Sequence, residues 1–368
     1  MFRSVQFLCV LLVLGACSPR ATILEPVPDA PQAHIETIFV ATTRVFDGRD
    51  DTLGRSETPS FARYQINVPP NRSPGEIPYP GRSEAPNTDD HFLVADARTD
   101  LTTSEFRSAI RSNLRTDNLL TDDIILYVHG YNNTFADGLF RIAQMRRDLK
   151  IPGTPVHYAW PSAGHPLGYA YDRDSALFAR DGLERLITQL SRTTSGEIIL
   201  VAHSLGSLVT MEALRQLNIA NDRNVLNKVG GVILLSPDLD VDVFRAQAAR
   251  IKPMPDPFVI FTSQRDRALA LSARITGQTA RLGNLGEIEG VSDLDVTLVD
   301  LSNVEIGSGD AFNHFTAATS PAVIQILQQL GQVSASFESS PSNAIGLLPG
   351  TVLTLQNATQ VVLTPGTP

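Results

Sequence analysis

The sequence predicts an α/β domain built on a mostly parallel, doubly wound sheet. From about residue 120 onward, short and uninterrupted apolar runs alternate with stretches of helical periodicity. Uninterrupted apolar runs are typical of strands that are buried on both faces of a parallel sheet. Their alternation with helices is typical of a doubly wound sheet. The apolar runs are Ile124–Val128, Val156–Ala159, Ile198–Val201, Val232–Leu235, Phe258–Phe261 and Val296–Leu301.

Extra strands are predicted at the N-terminal end of this sheet. Residues 35–46 are rich in β-branched side chains, residues 64–68 alternate apolar and polar residues, and residues 92–95 form a shorter run. Residues 71–90, which are rich in Pro, Gly, Ser and Asp, are typical of a loop. Apolar residues at helical spacing predict helices at 103–115, 135–149, 174–192 and 205–218, and a last helix after Pro321.

The predicted α/β domain extends over residues 35–333. Beyond it the composition changes to Ser, Pro, Gly, Thr and Asn. Two interpretations of residues 334–368 stay open. The segment is either a low-complexity tail without regular structure or a short hairpin formed by residues 351–356 and 359–364.

The N-terminus has the features of a secretory leader. Arg3 supplies a positive charge, and the apolar run Val5–Leu14 is too short to span a bilayer. The following Leu14-Gly-Ala-Cys17 resembles a bacterial lipobox, which implies a signal peptide over residues 1–16 and a lipid on Cys17. The alternative is a plain signal peptide that is cleaved after Ala16. Residues 17–34 are predicted to be a flexible tether.

This resemblance implies a location. A chain lipidated at Cys17 is held at a membrane in the bacterial cell envelope. Ser18 stands after the cysteine. By resemblance to Gram-negative lipoproteins, Ser18 favours the periplasmic face of the outer membrane, and the inner membrane stays the alternative.

Composition and charge exclude several classes of protein. With 42% hydrophobic and 19% charged residues, the chain has an ordinary globular composition. Its net charge of -9, without any run of Lys or Arg, argues against a nucleic-acid partner. Cys9 and Cys17 are the two cysteines, and both belong to the leader region, so thiolate catalysis and disulfides are not expected in the mature domain. We expect neither a metal nor an organic cofactor.

A serine follows one of the buried strands where a helix is predicted to begin. Residues 198–206 read Ile-Ile-Leu-Val-Ala-His-Ser-Leu-Gly. Such a strand–turn–helix segment projects its serine above the sheet on a strained backbone. Because strand and helix backbones approach closely, small residues are needed nearby. Ala202, where Gly is usual, and Gly206 supply them. Ser204 is therefore predicted to be a nucleophile, and the alternative is a helix N-cap.

A second turn completes the predicted chemistry around the serine. The strand Ile124–Val128 ends in His129-Gly-Tyr-Asn-Asn. In α/β hydrolases, backbone N–H groups from such a turn and from the residue after the nucleophile stabilise the developing oxyanion. We assign these donors to Tyr131 and Leu205. The side chains of His129 and His203 are interpreted as structural.

Chain order decides the remaining catalytic candidates. In this fold the order is serine, acid, histidine. His314 is the single histidine after Ser204, so it is the predicted base. Two acids follow strand ends, where catalytic groups collect. Asp266 is preferred, because it follows the strand immediately before the one that leads to His314. Asp238 is the alternative acid.

These segments together resemble the DUF900 group of bacterial α/β hydrolases over about residues 36–333. The resemblance is carried by Ala41-Thr-Thr-Arg44, His129-Gly-Tyr-Asn-Asn, Ala159-Trp-Pro-Ser162, Tyr171-Asp-Arg-Asp-Ser175, Ala202-His-Ser-Leu-Gly206, Ser236-Pro-Asp-Leu-Asp240 and Ser263-Gln-Arg-Asp-Arg-Ala-Leu269. It implies an α/β-hydrolase fold, an esterase- or lipase-like activity and the triad Ser204, Asp266 and His314.

The predicted function is that of a serine hydrolase acting on an ester, or an amide, of a small molecule or lipid. A non-catalytic envelope binding or scaffold protein on the same fold is the alternative, and a lyase or perhydrolase is a second one. Trp160 either lines the acyl pocket or anchors packing at a strand end. Tyr169, Tyr171 and Asp172 are assigned to a lid or rim. Oligomeric state and acyl-chain length are not readable from the sequence.

Overall fold

The computed structural model describes residues 26–27, 30–45, 54–81, 83–116, 121–277, 281–286, 288–304, 314–325 and 350–363. The predicted signal peptide and the predicted lipid attachment site at Cys17 lie outside the described residues. The strands are β1 Ile35–Arg44, β2 Arg55–Asn67, β3 Leu93–Leu101, β4 Ile124–Val128, β5 Thr154–Ala159, β6 Ile198–His203, β7 Val229–Leu235, β8 Phe258–Thr262, β9 Thr297–Asp300, β10 Gly350–Leu355 and β11 Ala358–Leu363.

Helices connect these strands. They are α1 Thr103–Thr116, α2 Phe135–Leu149, α3 Tyr169–Ser191, α4 Gly206–Ile219, α5 Arg223–Leu226, α6 Val241–Ala248, α7 Arg267–Ile275 and α8 Thr316–Thr319. Residues 321–325 are also helical, as predicted after Pro321, and the predicted continuation through Leu327 and Leu330 lies outside the described residues. Helix α3 begins earlier than the predicted residue 174.

One sheet contains all eleven described strands, in the order β10-β11-β9-β8-β7-β6-β4-β5-β1-β2-β3. The run from β11 to β1 is parallel throughout. Strands β2 and β3 at one edge, and β10 at the other, add antiparallel pairs. The predicted fold class, a mostly parallel α/β-hydrolase sheet with extra N-terminal strands, is confirmed. All carboxyl ends of the parallel strands therefore meet at one edge, with β6 near the middle.

The core explains the uninterrupted apolar runs. Alternate side chains along each central strand enter two different apolar clusters, one on each face of the sheet. Leu200 packs with α1, α3 and α4 on one face, whereas Val201 packs with α2 on the other. Leu126 and Tyr127 are divided between the faces in the same way. Helices on both faces make the sheet doubly wound.

Strand β2 is much longer than the predicted run at 64–68. Its first half reads Arg-Ser-Glu-Thr-Pro-Ser and is partly exposed, so it carries no apolar pattern. Pairing with β1 over most of its length forms this part of the strand. Tertiary pairing thus extends the strand beyond its own sequence signal.

Two predicted domain boundaries need correction. Residues 17–34 were assigned to a flexible tether, yet the Val27 N–H donates to the Val94 carbonyl at 2.8 Å and Ala30 is buried. The described end of this segment therefore packs against the domain. At the other end the hairpin forms, and β11 pairs with β9. The sheet thus continues beyond residue 333, where the domain was predicted to end. Among the described residues, no helix is sufficiently long and apolar to span a bilayer.

We predict that β11 is an integral part of the folded sheet. Val361 on β11 is fully buried, whereas its cross-strand partner Val352 on β10 is 47% exposed. Val361→Ala should lower the free energy of unfolding by about 2 kcal/mol, because it removes buried methyl groups and leaves a cavity. Val352→Ala should change it by less than about 0.5 kcal/mol. Urea unfolding of both variants checks this, and equal effects would contradict it.

Candidate active site

The serine predicted as nucleophile lies at the junction of β6 and α4. Ser204 has φ +52°, in the left-handed region, which is uncommon and strained for a residue with a side chain. Its N–H donates to the Leu235 carbonyl at 3.0 Å, and its own carbonyl accepts from the Ser207 N–H at 3.0 Å. The turn is therefore tied to β7 on one side and to the first turn of α4 on the other.

Two glycines make this turn possible. A Cβ atom on Gly206 would lie 2.4 Å from the His129 carbonyl oxygen and 2.6 Å from that of Val128. A Cβ atom on Gly130 would lie 2.7 Å from the Ser204 Cβ. The requirement at Gly206 was predictable from the sequence, whereas the equal requirement at Gly130 becomes visible only in the structure. The turn after β4 and the turn after β6 are thus in direct backbone contact.

The predicted oxyanion donors belong to these two turns. Leu205 directly follows Ser204 and precedes the first residue of α4, where helix N–H groups lack intrahelical acceptors. Among the described residues, the Leu205 N–H donates a hydrogen bond to no backbone carbonyl. Tyr131 follows Gly130, the residue that contacts Ser204. Its ring makes an edge contact with Tyr169 at 5.2 Å, and its hydroxyl donates to the Pro166 carbonyl.

A buried carboxylate accepts hydrogen bonds from the turn after β4 and from the turn after β5. Asp172 on α3 accepts hydrogen bonds from the Asn132 N–H at 3.1 Å, the Ser162 hydroxyl at 2.6 Å and the Ala163 N–H at 2.5 Å. Burial raises the pKa of Asp172, and these hydrogen bonds act against that shift. The assignment of Asp172 to a lid or rim is wrong, because the side chain is fully buried beneath the loop.

A buried guanidinium completes this support. Arg44, the last residue of β1, donates to the Ser162 carbonyl at 2.9 Å and to the Asn133 carbonyl at 2.7 Å. Its charge also lowers the pKa of Asp172. Arg44 belongs to one of the motifs that carry the family resemblance, but this supporting position was not predicted from the sequence. Its sequence signal is a basic residue at the end of a β-rich run, and the structure buries the last seven residues of that strand, Arg44 included.

His129 orders the loop, as interpreted from the sequence. Its Nδ1 and Nε2 lie 2.9 Å and 3.0 Å from the carbonyl oxygens of Gly130 and Trp160. Its ring stacks on the Trp160 indole at 5.0 Å, and the indole N–H donates to the His129 carbonyl at 2.6 Å. Burial, assisted by the Arg44 charge, lowers the pKa of His129 to about 3. Trp160 is fully buried, so of its two interpretations the structure favours the packing anchor.

The preferred acid and the predicted base are in direct contact. The His314 Nδ1 lies 2.8 Å from the Asp266 Oδ2. Asp266 follows β8, is 1% exposed and caps α7 by accepting the Leu269 N–H at Oδ1 at 3.0 Å. One carboxylate oxygen is thus held by the helix and the other faces the imidazole. The ring of His314 is 19% exposed and is the more accessible member of the pair.

The alternative acid has other partners. The Asp238 carboxylate pairs with the buried Arg281, with 3.1 Å between Oδ1 and Nε. It also accepts from the Ser272 hydroxyl at 2.5 Å and from the Tyr169 hydroxyl at 2.9 Å. The structure therefore brings Asp266 and not Asp238 to His314.

His203 connects the serine turn to the His314 segment. Its Nε2–H donates to the His314 carbonyl at 3.1 Å, and its ring contacts that of Phe315 at 4.0 Å. Burial lowers the pKa of His203 well below its ordinary value. The neutral ring therefore supports the neighbouring segment, in agreement with the structural interpretation. Within the described part of the chain, no group of three or more His, Cys, Asp or Glu side chains is arranged to bind a metal ion.

The sheet topology and these turns define an α/β hydrolase. The chain belongs to the family described as "Alpha/beta hydrolase of unknown function (DUF900)", whose model matches residues 102–331. The family resemblance seen in the sequence is thereby confirmed. The match begins after β3, so β1, β2 and β3 precede it.

Comparison with solved structures returns esterases at low similarity. A match to fungal esterases from Rhizomucor miehei has 13% identity and a TM-score of 0.36, covering 88% of this chain and 85% of that chain. A Pyrobaculum calidifontis esterase has 13% identity and a TM-score of 0.30, with coverages of 64% and 94%. A Trichoderma reesei cutinase has 15% identity and a TM-score of 0.23, and the match covers 37% of this chain and 63% of the cutinase. No curated protein sequence matches the chain significantly.

A further histidine near this site has a consequence for acid stability. His157 on β5 is fully buried between Tyr127 and His129, with ring centroids 5.6 Å and 5.4 Å away. Among the described residues, neither of its ring nitrogens has a hydrogen-bond partner. Burial lowers its pKa well below the ordinary value, so the folded state holds the neutral form. Its contribution to stability is present above pH ~6.5, the unfolded-state pKa, and is lost as the pH falls below it.

We predict that His157→Leu makes the protein less sensitive to acid. The wild-type free energy of unfolding should fall below pH ~6.5, with His157 contributing about 1.4 kcal/mol per pH unit. The variant should lack that share of the slope, because leucine binds no proton in the unfolded state. Urea titrations between pH 7.5 and 5.0 measure both slopes. Parallel curves for the two proteins would contradict the assignment of a neutral, buried His157.

Proposed function

We propose that this protein is a serine hydrolase that cleaves carboxylic esters through an acyl-enzyme on Ser204. The observation that carries the proposal is the left-handed Ser204 at the end of a central parallel strand. A strained turn of this kind persists when the surrounding structure holds it, and such strain collects at active sites. The contact between Asp266 and His314 supports the same proposal, because both follow strands at the carboxyl edge where Ser204 lies.

The proposed reaction uses the three side chains in sequence. Ser204 Oγ attacks the ester carbonyl, and His314 takes the hydroxyl proton. The oxyanion of the tetrahedral intermediate accepts hydrogen bonds from the N–H groups of Tyr131 and Leu205. His314 then gives the proton to the departing alcohol, which leaves an acyl group on Ser204. Water attacks this acyl group with His314 as base, and the free acid and Ser204 are regenerated.

Electrostatics favours His314 over its neighbours as the base. Burial holds His129 and His203 in the neutral form with strongly lowered pKa values, so proton uptake by either ring is costly. The Asp266 carboxylate faces the Nδ1 of His314. A carboxylate in this position keeps the proton on Nδ1, leaves Nε2 available as the base and stabilises the imidazolium that forms.

We predict that activity depends on Ser204 and on Asp266. Ser204→Ala should lower kcat for a short-chain p-nitrophenyl ester by about 10⁴-fold or more, because the nucleophile is lost. Asp266→Asn should lower it by about 10⁴-fold, because His314 loses the partner that fixes its tautomer and balances its positive charge. Steady-state kinetics on folded variants measures both effects. Peptide and amide substrates, run in parallel, decide whether the activity extends beyond esters.

Asp238→Asn is the matched comparison for the acid. It removes a buried carboxylate that pairs with Arg281 instead of His314, so stability should fall while kcat of the folded fraction stays within about 10-fold of wild type. A Ser204→Ala protein with wild-type turnover would contradict the proposal. A larger kcat loss for Asp238→Asn than for Asp266→Asn would contradict the choice of acid.

We further propose that the enzyme acts in the bacterial envelope while anchored through a lipid on Cys17. The sequence of the leader and the cysteine that follows it support this proposal. In cells fed an alkyne-tagged fatty acid, the wild-type chain should be labelled and should fractionate with membranes. Cys17→Ser should remove the label, because serine offers no thiol to which the lipid can be attached. Labelling that persists in Cys17→Ser would contradict the anchor.

A further inference from the structure

A buried polar network lies behind the segment that carries His314. Its members come from α2 and from the loop after β2, and none of them belongs to the proposed triad or to the oxyanion donors. We call it the α2 clamp. It consists of Arg72, Gly75, Arg141, Gln144 and Asp148.

The centre of the α2 clamp is a buried carboxylate. Asp148 accepts two hydrogen bonds from the Arg72 guanidinium, at 2.5 Å and 2.9 Å, and one from the Gly75 N–H at 2.7 Å. It also accepts from the Gln144 side chain at 2.7 Å. The Arg72 and Asp148 side chains are 5% and 6% exposed. A buried bidentate pair of this kind is geometrically specific, because each partner has one low-energy position.

Gln144 connects the buried ion pair to the segment that carries His314. The side chain is fully buried, and its amide N–H₂ donates to Asp148 and, at 3.1 Å, to the carbonyl of Ala318 in α8. Its Oε1 accepts from Arg141 at 2.8 Å. Ala318 lies four positions after His314 in the chain, so this hydrogen bond holds the short helix α8 that begins two residues after His314.

Two further contacts connect the clamp to the same segment. The Arg141 guanidinium lies over the Phe315 ring at 4.7 Å and donates to the Gly75 carbonyl at 3.2 Å. Gly75 has φ +90°, and a Cβ atom there would lie 2.3 Å from the Thr319 carbonyl oxygen. The loop after β2 is therefore packed directly against α8.

We propose that the α2 clamp positions His314, and that Gln144 is a positioning residue of the hydrolase. This inference rests on the proposed function. Helix α2 begins with a capping box at Thr134, directly after the turn that carries Tyr131. One helix therefore contacts both parts of the site. Its N-terminus adjoins the turn that carries Tyr131, and its later turns pack against the segment that carries His314. Arg72 and Gly75 lie outside the residues that the family model matches. The loop after β2 therefore supplies two members of the α2 clamp from the N-terminal part of the chain.

The first experiment compares two buried glutamines. Gln144→Leu removes the hydrogen bond to Ala318, whereas Gln247→Leu on α6 removes a hydrogen bond from a similarly buried glutamine to the partly buried Glu212, at 2.7 Å. Gln144→Leu should lower kcat about 10- to 100-fold with KM almost unchanged, since a displacement near 1 Å has effects of this size. Gln247→Leu should leave kcat within about twofold of wild type, because substitutions at distant, independent sites act separately. Gly75→Ala, which presses on Thr319 from the other side, should reproduce the loss of Gln144→Leu.

A double-mutant cycle separates positioning from general destabilisation. In a His314→Asn background, Gln144→Leu should change the residual rate by less than about twofold, because the base that it positions is gone. Equal kcat values for Gln144→Leu and Gln247→Leu would overturn the clamp. An unchanged loss from Gln144→Leu in the His314→Asn background would overturn it too.

A second readout is independent of turnover. The Nδ1 proton that His314 shares with Asp266 should give a low-field nuclear magnetic resonance signal that is absent from His314→Asn. It should be present in wild type and Gln247→Leu and shifted or lost in Gln144→Leu. An unshifted signal in Gln144→Leu overturns the clamp whatever the activity. Turnover that survives Ser204→Ala overturns the proposed function and leaves this test of the clamp in force.

Discussion

The left-handed backbone at Ser204 is the constraint on which the rest of the site depends. A residue with a side chain adopts φ +52° only at a cost in conformational free energy. Ser204 keeps this conformation because the surrounding structure holds its backbone in place. Its N–H is bonded to β7, and the residues that follow enter α4 at once. Gly206 and Gly130 allow the backbones of the two turns to meet without a side chain between them. A parallel sheet places both turns at one edge, which makes this contact a property of the fold.

Buried polar groups hold the surrounding loops in one position. A buried charge is costly unless it is paired and hydrogen-bonded, and each of those described here has its partners. Asp172 and Arg44 bond to backbone and hydroxyl groups of the turns after β4 and β5. Asp148 and Arg72 do the same behind α8, through Gln144. These groups specify geometry, and the apolar clusters on the two faces of the sheet supply the stability.

Much of the fold was predictable because its central strands are buried on both faces. Such strands read as plain apolar runs, and the serine, the His-Gly turn and the acids follow directly from them. Chain order and strand position favoured Asp266 over Asp238 as the partner of His314, and the contact between Asp266 and His314 agrees with that preference. The ion pair between Asp238 and Arg281 joins residues from separate segments, and no local pattern announces it.

Other features depend on contacts that a single sequence does not display. The first half of β2 is polar and forms a strand because β1 pairs with it. Val27 and Ala30 stand in a Pro-rich segment typical of a tether, yet they pack on the domain. Asp172 is a charged residue in a polar stretch of sequence, which is typical of the protein surface. It is instead fully buried, because three hydrogen-bond donors surround its carboxylate. In each case partners that are remote in the sequence decide the outcome.

The proposed hydrolase activity is tested most directly by the chemical reactivity of the Ser204 hydroxyl. Brief exposure of the folded protein to a fluorophosphonate, followed by peptide mass spectrometry, measures whether Ser204 is an activated nucleophile. An activated Ser204 should be modified stoichiometrically in the wild-type protein and much more slowly in His314→Ala. A folded wild-type protein whose Ser204 stays unmodified would contradict the catalytic role of Ser204 and favour a binding or scaffold protein on the same fold.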